Sequence, residues 1–267
     1  MEVGLYTALV PMIVYAFFGT SRPLSVSVTS TIAMLTATEL AHGEDDGHFH
    51  GEVDSDEPYF DELADGLGTV RTQRRRCTTR GVLGLSRQVA EEINCISPGS
   101  LVPFDEQDGI IFSGSAVLPY MNAAAREDFL AAGRATTLRV TSAYRSVVQQ
   151  HMIYTWRRAR RCSIPAAARP GRSPHESGRA VDLSNAGSVV TAMRNRGWVR
   201  NVRGDRVQFG HQSSNDLGEL GILAFQRLWN RNNPNDLIPE DGDWGPATLS
   251  RVDRSPAEGF RIGPSCQ

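Results

Sequence analysis

From about Arg80 onward the chain alternates short stretches of helical and strand periodicity. In "GVLGLSRQVAEEINCI" the apolar residues Val82, Leu85, Val89 and Ile93 recur every three or four positions, which predicts a helix. "GSLVPF" and "GIIFSG" read as short strands. "VLPYMNAAAREDFLAAG" predicts a second helix, stopped by Gly133. "TTLRVTSAYRS" is β-branched and alternating, a strand that ends at Tyr144 and Arg145. A third helix, "VVQQHMIYTWRRARR", leads into the proline- and glycine-rich loop "PAAARPGRSPHESG". "RAVDLSN" is a short strand carrying Asp182, "SVVTAMRNRGW" a helix and "DRVQFGH" a last strand. Strands and helices are interspersed without a glycine-rich dinucleotide fingerprint, so the predicted class is α+β.

The first 40 residues have a different texture. Val3 to Phe18 is an almost unbroken apolar run; "GTSRP" interrupts it, and Leu24 to Leu40 is apolar but diluted by serine and threonine. A secretory signal opens with positive charge and ends in a small-residue cleavage site, whereas the first charge here is Glu2. The run falls short of the roughly 20 apolar residues of a spanning helix. "GLYTALVPMIVYAFFGTSRPLSVSVTSTIAMLTA", residues 4–37, resembles an early transmembrane part of sulfate-permease-type anion transporters, in its Gly-Leu-Tyr opening and its Gly-Thr-Ser-Arg stretch. Such a transporter needs many more spans, and nothing after Leu40 is apolar enough to be one. A transporter fragment is therefore the weakest reading. A membrane anchor and a fusion or start-site artefact remain. Residues 41–79 read as a linker, acidic from Glu44 to Asp65 and basic at Arg71, Arg74, Arg75 and Arg76. His42, His48 and His50 lie among its carboxylates, a tract read as solvated rather than metal-binding.

Composition narrows the function classes. The 267 residues suffice for one sizeable domain with an appendage or two small domains. A formal net charge of -2 argues against a broad basic nucleic-acid surface, so no nucleic-acid partner is expected. The second basic patch, Arg157, Arg158, Arg160 and Arg161, reads like the first as solvated surface. Cys77, Cys95, Cys162 and Cys266 form no CxxC pair, which argues against a zinc ribbon. An even count fits two disulfides in an exported protein and equally four free thiols, with the pairing open.

Chemistry concentrates in the second half. A catalytic zinc takes three ligands from His, Asp and Glu and keeps one position open for water, whose pKa it lowers. A nearby carboxylate then accepts the proton, and a guanidinium can grip both oxygens of a substrate carboxylate. Arg145, His175, Asp182, Asp205 and His211 all fall at predicted strand ends or loops, where sites are usually built.

"SAYRS" followed by "SPHESGRAVDLSN" resembles the zinc D-alanyl-D-alanine carboxypeptidases of the vancomycin-resistance type, which carry Ser-x-His-x-x-Gly-x-Ala-x-Asp after a Tyr-Arg-Ser strand end. The matching positions are Ser173, His175, Gly178, Ala180 and Asp182, with Tyr144, Arg145 and Ser146 upstream, over roughly residues 81–211. The resemblance implies a DD-peptidase/hedgehog-like fold. It implies that His175 and Asp182 are zinc ligands and that Arg145, with Tyr144 and Ser173, binds the substrate's carboxylate end. It also implies an acid three positions before a third histidine ligand. In "GDRVQFGHQ" the acid is Asp205, but the ligand position holds Gln208. His211 is the expected substitute, although positions 208 and 211 of a strand point to opposite faces. Gln208 is the alternative, and an amide is a poor zinc ligand beside an imidazole.

The tail "LGELGILAFQRLWNRNNPNDLIPEDGDWGPATLSRV" holds a helix with Leu223, Phe225, Leu228 and Trp229, then a loop, then a helix after Pro246. Its turn from Asp241 to Thr248 resembles part of a peptidoglycan-binding repeat, with Trp244 either packed or stacked on sugar. The expected organisation is an apolar segment at 1–40, a linker at 41–79, a peptidase-like domain at 80–215 and a peptidoglycan-binding-like helical extension at 216–267. The expected function is zinc-dependent cleavage of peptidoglycan stem peptides in a bacterial cell envelope, periplasmic or attached to the membrane through the N-terminus. The alternative is a catalytically weakened cell-wall-binding protein of the same fold.

Overall fold

The computed structural model describes residue 66 and residues 68–266, apart from 108, 201, 203 and 213. The apolar segment 1–40 and most of the expected linker lie outside the described residues.

The part of the linker that is described is not solvated chain. Helix α1 (Val70–Gln73) is capped by Thr69, whose side chain accepts from Thr72 N–H, and runs into a 3-10 turn over Arg74–Arg76. Val70 is fully buried, and its N–H donates to the Ser255 carbonyl at 3.0 Å. Helix α2 (Leu83–Ile96) buries Leu85, Val89 and Ile93, the stripe its period predicts.

Strands β1 (Leu101–Pro103) and β3 (Tyr120–Asn122) form a small antiparallel pair. The main sheet contains β2 (Ile110–Phe112), β4 (Leu138–Ser142), β5 (Ala180–Leu183), β6 (Trp198–Val199) and β7 (Gln208–His211) in the order β2-β4-β5-β7-β6. Only the β2–β4 pairing is parallel. Helices α3 (Ala123–Ala135) and α5 (Val190–Arg194) cover one face. Phe129, Val140, Val181, Leu183, Trp198 and Phe209 pack there as one core.

A second core is helical. Helices α4 (Val147–Arg158) and α6 (Gly218–Asn232) meet α2, α7 (Pro246–Arg254) packs on α6 and α1, and together they bury Met152, Phe225, Leu228 and Val252. The tail thus shares its core with residues 70–156. Disulfides Cys77–Cys162 and Cys95–Cys266 fasten both ends of this layer, and no cysteine is free.

With seven α-helices and two sheets among the described residues, the class is α+β. Two boundaries differ from expectation. The second helix begins only at Ala123, because Asn122 caps it by accepting from Ala124 N–H, and Tyr120–Asn122 is strand. Gly133 does not stop that helix; it is buried inside it, and a Thr136 cap follows.

Candidate functional site

The strand β5 carries the first component. Val181 and Leu183 point into the sheet's covered face, so Asp182 points to the other. Two cross-strand neighbours share that face. Asp182 pairs in register with Gln208 of β7 on one side and with Ser142 of β4 on the other. The β4 register shifts between Val140 and Ser142, and this irregularity brings Ser142 opposite Asp182.

His175 reaches the same place from the 3-10 turn Pro174–Ser177. The turn ends at Gly178 with φ +61°, and a Cβ there would come within 2.6 Å of Asn122 N and 2.8 Å of Leu101 Cδ2, so glycine is required. His175 Nδ1 lies 2.8 Å from the Ala143 carbonyl, to which its N–H donates. That bond fixes the tautomer and leaves the Nε2 lone pair free. Nε2 stands 3.3 Å from Asp182 Oδ1, and neither atom has a hydrogen-bond partner, though both are buried. Gln208 Nε2 is a third buried polar atom without a partner. A half-turn of that amide offers Oε1 in its place.

Arg145 frames the cluster. Its Nη2 lies 3.4 Å from Asp182 Oδ2 and donates to Ser142 Oγ at 3.1 Å, while Nη1 donates to Gln150 Oε1 at 3.1 Å. Burial pulls the guanidinium below its ordinary pKa; the carboxylates of Asp182, Glu176 and Asp205 work against that and mark the acids near it. Burial would push Asp182 up, but with His175 protonated its charge and hydrogen bond, followed by the charge of Arg145, outweigh it and hold the carboxyl below its usual range. Asp205 Oδ1 accepts from the N–H groups of Val207 and Gln208, both at 2.9 Å, which fixes the carboxylate in a tight turn.

Glu176, unremarked in the sequence, is buried beneath this loop. Burial raises its pKa to about 7, against hydrogen bonds from Gly171, Ser173 and Arg172 N–H and the charge of Arg145. It holds the chain on either side of Ser173 and so fixes the loop that presents His175. Ser142 and Gln150, which orient Arg145, were also missed. Only their spacing around "AYR" could have signalled them.

Two expected residues are elsewhere. Tyr144 is 2% exposed, packs edge-on to Tyr120 in the helical core and has burial holding its phenol protonated. His211 sits on the covered face of the sheet. It lies against Trp198, with Nδ1 2.7 Å from Ser214 Oγ and Nε2 3.2 Å from Asp128 Oδ2. The physical reason is the strand period: Phe209 and His211 share one face, Gln208 the other. His211 is therefore not brought to the His175–Asp182 pair. Among the described residues no group of three or more His, Cys, Asp or Glu side chains is arranged to hold a metal ion.

The donor set still has a use. The facing atoms of this imidazole and carboxylate, buried and without hydrogen-bond partners, leave two uncompensated acceptors that a cation would satisfy. Gln208 is the third group on that face. The residues fit a divalent cation bound by two strong donors and one weak one.

No curated protein and no solved structure matches the chain. Among the described residues no helix is long and apolar enough to cross a membrane. Residues 1–63 match the model of the sulfate permease family. Residues 117–213, about a third of the chain, match the family described as D-alanyl-D-alanine carboxypeptidase, a span that contains every component of the site just described.

Proposed function

We propose that this chain is a zinc-dependent peptidase of the bacterial cell envelope that acts on the D-alanyl-D-alanine ends of peptidoglycan stem peptides, with a cation site weaker than a full set of strong ligands provides. The observation that carries this reading is the pair His175 Nε2 and Asp182 Oδ1, buried, 3.3 Å apart and unbonded. Both lie within the stretch matched to the carboxypeptidase family. Two disulfides agree with an oxidising compartment.

His175 and Asp182 would hold the metal, with the Gln208 amide at the third position. Bound there, zinc supplies an acidified water and polarises a carbonyl. The protein's own groups do the rest. Arg145, steadied by Ser142 and Gln150, presents a partly buried cation to the substrate's terminal carboxylate. Asp205 Oδ2 accepts the proton of the attacking water and delivers it to the leaving amine. Glu176 and the Ala143 carbonyl keep the His175 ring in register.

Metal content of the purified protein, measured with D-alanine release from a stem-peptide mimic, tests the reading. One zinc per chain and release of D-alanine are expected; no zinc and no release would end it. Gln208 favours a second reading, a wall-binding protein of weakened activity. It predicts retention on peptidoglycan without hydrolysis, unchanged by Asp205→Ala.

A further inference from the structure

A guanidinium grips a carboxylate through two N–H groups on one edge. Each of its two usable edges includes Nη2, paired with Nε on one side and with Nη1 on the other. In Arg145 both Nη2 protons are taken. One goes to Ser142 Oγ at 3.1 Å, the other to Asp182 Oδ2 at 3.4 Å. Nη1 donates to Gln150 Oε1 at 3.1 Å. Both forks thus have a prong occupied, and neither Arg145 nor Asp182 has more than 17% of its side chain exposed. Arg145 in this arrangement cannot meet both oxygens of a substrate carboxylate without releasing a partner.

Asp182 is the partner that can be released. Its bond to Nη2 is the longer of the two. Its carboxylate also has a second claimant. Oδ2 meets Arg145, while Oδ1 stands 3.3 Å from His175 Nε2, with both of those facing atoms buried and unpartnered. A single negative charge is therefore shared between the guanidinium and the place where a cation would sit. A cation on Oδ1 and Nε2 draws on that charge and weakens its hold on Arg145. It also cancels the repulsion that an uncompensated Asp182 exerts on a second carboxylate arriving beside it. The shorter Ser142 bond and the Gln150 bond keep the fork oriented meanwhile.

We propose that Asp182 masks Arg145 in the metal-free protein, and that a cation on the His175–Asp182 pair unmasks it, so that cation and substrate carboxylate bind cooperatively through this one side chain. The inference rests on the zinc-peptidase reading and adds regulation to it: the carboxylate receptor is complete only when the metal site is filled. The coupling is reciprocal, so the factor that the cation adds to carboxylate affinity is the factor that the carboxylate adds to cation affinity.

The test titrates the full chain calorimetrically with N-acetyl-D-alanine, metal-stripped and zinc-loaded. Chelator competition then reads zinc affinity with and without saturating N-acetyl-D-alanine. Both affinities are expected to rise about tenfold or more, by one common factor. Direct ligation of the added carboxylate by zinc gives the same rise, so the metal-free protein supplies the decisive arm. Asp182→Asn removes the charge and keeps the shape. Without metal, it is expected to bind N-acetyl-D-alanine about tenfold more tightly than metal-free wild type. Asp205 lies within electrostatic reach of Arg145, but its Oδ1 is engaged by Val207 and Gln208 N–H. Asp205→Asn is therefore expected to change that affinity by no more than about threefold. Melting temperatures check that both variants fold. Failure of the wild type to take up zinc ends the peptidase reading, and the Asp182→Asn arm still decides the masking. Equal binding by metal-free wild type and Asp182→Asn, or an equal gain in Asp205→Asn, overturns the masking even where zinc is held. So does a measurable zinc affinity that N-acetyl-D-alanine leaves unchanged.

Discussion

His175 and His211 are both almost fully buried, at 1% and 2% side-chain exposure, and both stand within 3.3 Å of an aspartate oxygen. Their surroundings differ in kind. Both ring nitrogens of His211 are engaged, Nδ1 by Ser214 and Nε2 by Asp128, and its face packs on Trp198. Only one nitrogen of His175 is engaged. The other confronts a carboxylate oxygen at 3.3 Å, and neither atom has a hydrogen-bond partner. A histidine with both nitrogens bonded has reached its structural end state. One with a fixed tautomer and an idle lone pair carries a cost that folding alone does not repay. That difference locates the candidate site at His175, although His211 lies in the segment where the family resemblance expects a ligand.

The comparison breaks most sharply on metal uptake. Asp182→Ala is expected to weaken zinc binding a hundredfold or more, about 3 kcal/mol, since structural zinc sites are worth about 10–16 kcal/mol spread over four ligands. His211→Ala is expected to leave zinc affinity within threefold. It lowers stability instead, by about 1–2 kcal/mol, through the lost Ser214 and Asp128 bonds. Competition with a chromogenic chelator reads the first, denaturant unfolding the second. Equal loss of zinc in both variants would show that His211 swings to the metal.

Much of this was legible in the chain. The 3.6-residue period of Val82, Leu85, Val89 and Ile93 located α2, because a helix facing a core must repeat its apolar positions. Strand parity alone opposed positions 208 and 211. What escaped was set by tertiary contacts. Tyr120–Asn122 are strand because Leu101–Pro103 pair with them, a partner 19 residues upstream that local pattern does not reveal. Arg71–Arg76 read as linker because charge there is dense, yet Gln73 is buried, and Val70 is buried with its N–H on the Ser255 carbonyl of the tail. Glu176 passed unremarked inside the quoted motif because its importance lies in burial, which a motif does not encode.

The helical layer invites a contrast between its anchor and the site. Asp253 joins α1, α4 and α7 through Arg74 and His151. Burial would raise its pKa; the His151 hydrogen bond and charge, then Arg74 and Arg71, outweigh this and hold it below the usual range. A depressed carboxylate stabilises the fold above its unfolded pKa and stops doing so as pH falls through the folded value. Its contribution is therefore complete at neutral pH, shrinks below about pH 4 and is lost as pH falls through the depressed folded value. Asp253→Asn is expected to lower stability by about 1–2 kcal/mol at pH 7, since it removes the carboxylate that Arg74 and the buried His151 share. The effect of the same change shrinks as pH falls below about 4 and vanishes once the pH has passed the depressed folded value, where the wild-type group is protonated. Thermal unfolding across that range checks the window, and zinc affinity at pH 7 should not move.

The remaining two tests act on the site face itself and are smaller. Gln208→His replaces the weak donor with an imidazole on the strand position opposite Asp182. It is expected to raise zinc affinity about tenfold, or about 1.4 kcal/mol, and D-alanine release with it. No gain would mean that the amide does not face the cation.

The smallest effect belongs to the support of Arg145. Ser142→Ala and Gln150→Ala each remove one hydrogen bond to a buried guanidinium, from Nη2 and Nη1 respectively. A bond to a charged group is worth about 1.5–3 kcal/mol, but Arg145 keeps Asp182 and the other partner in each variant, so only part of that appears. If Arg145 holds the substrate's carboxylate, the loss falls on KM, a rise of about threefold to tenfold, with kcat and zinc affinity within twofold. Glu176→Gln makes the useful counterpart, because it loosens the His175 loop rather than the guanidinium. Its effect should fall on zinc affinity and leave KM less changed. A KM shift in the Glu176 variant and none in the Ser142 and Gln150 variants would reverse the assignment, making Arg145 a support for Asp182 and nothing more.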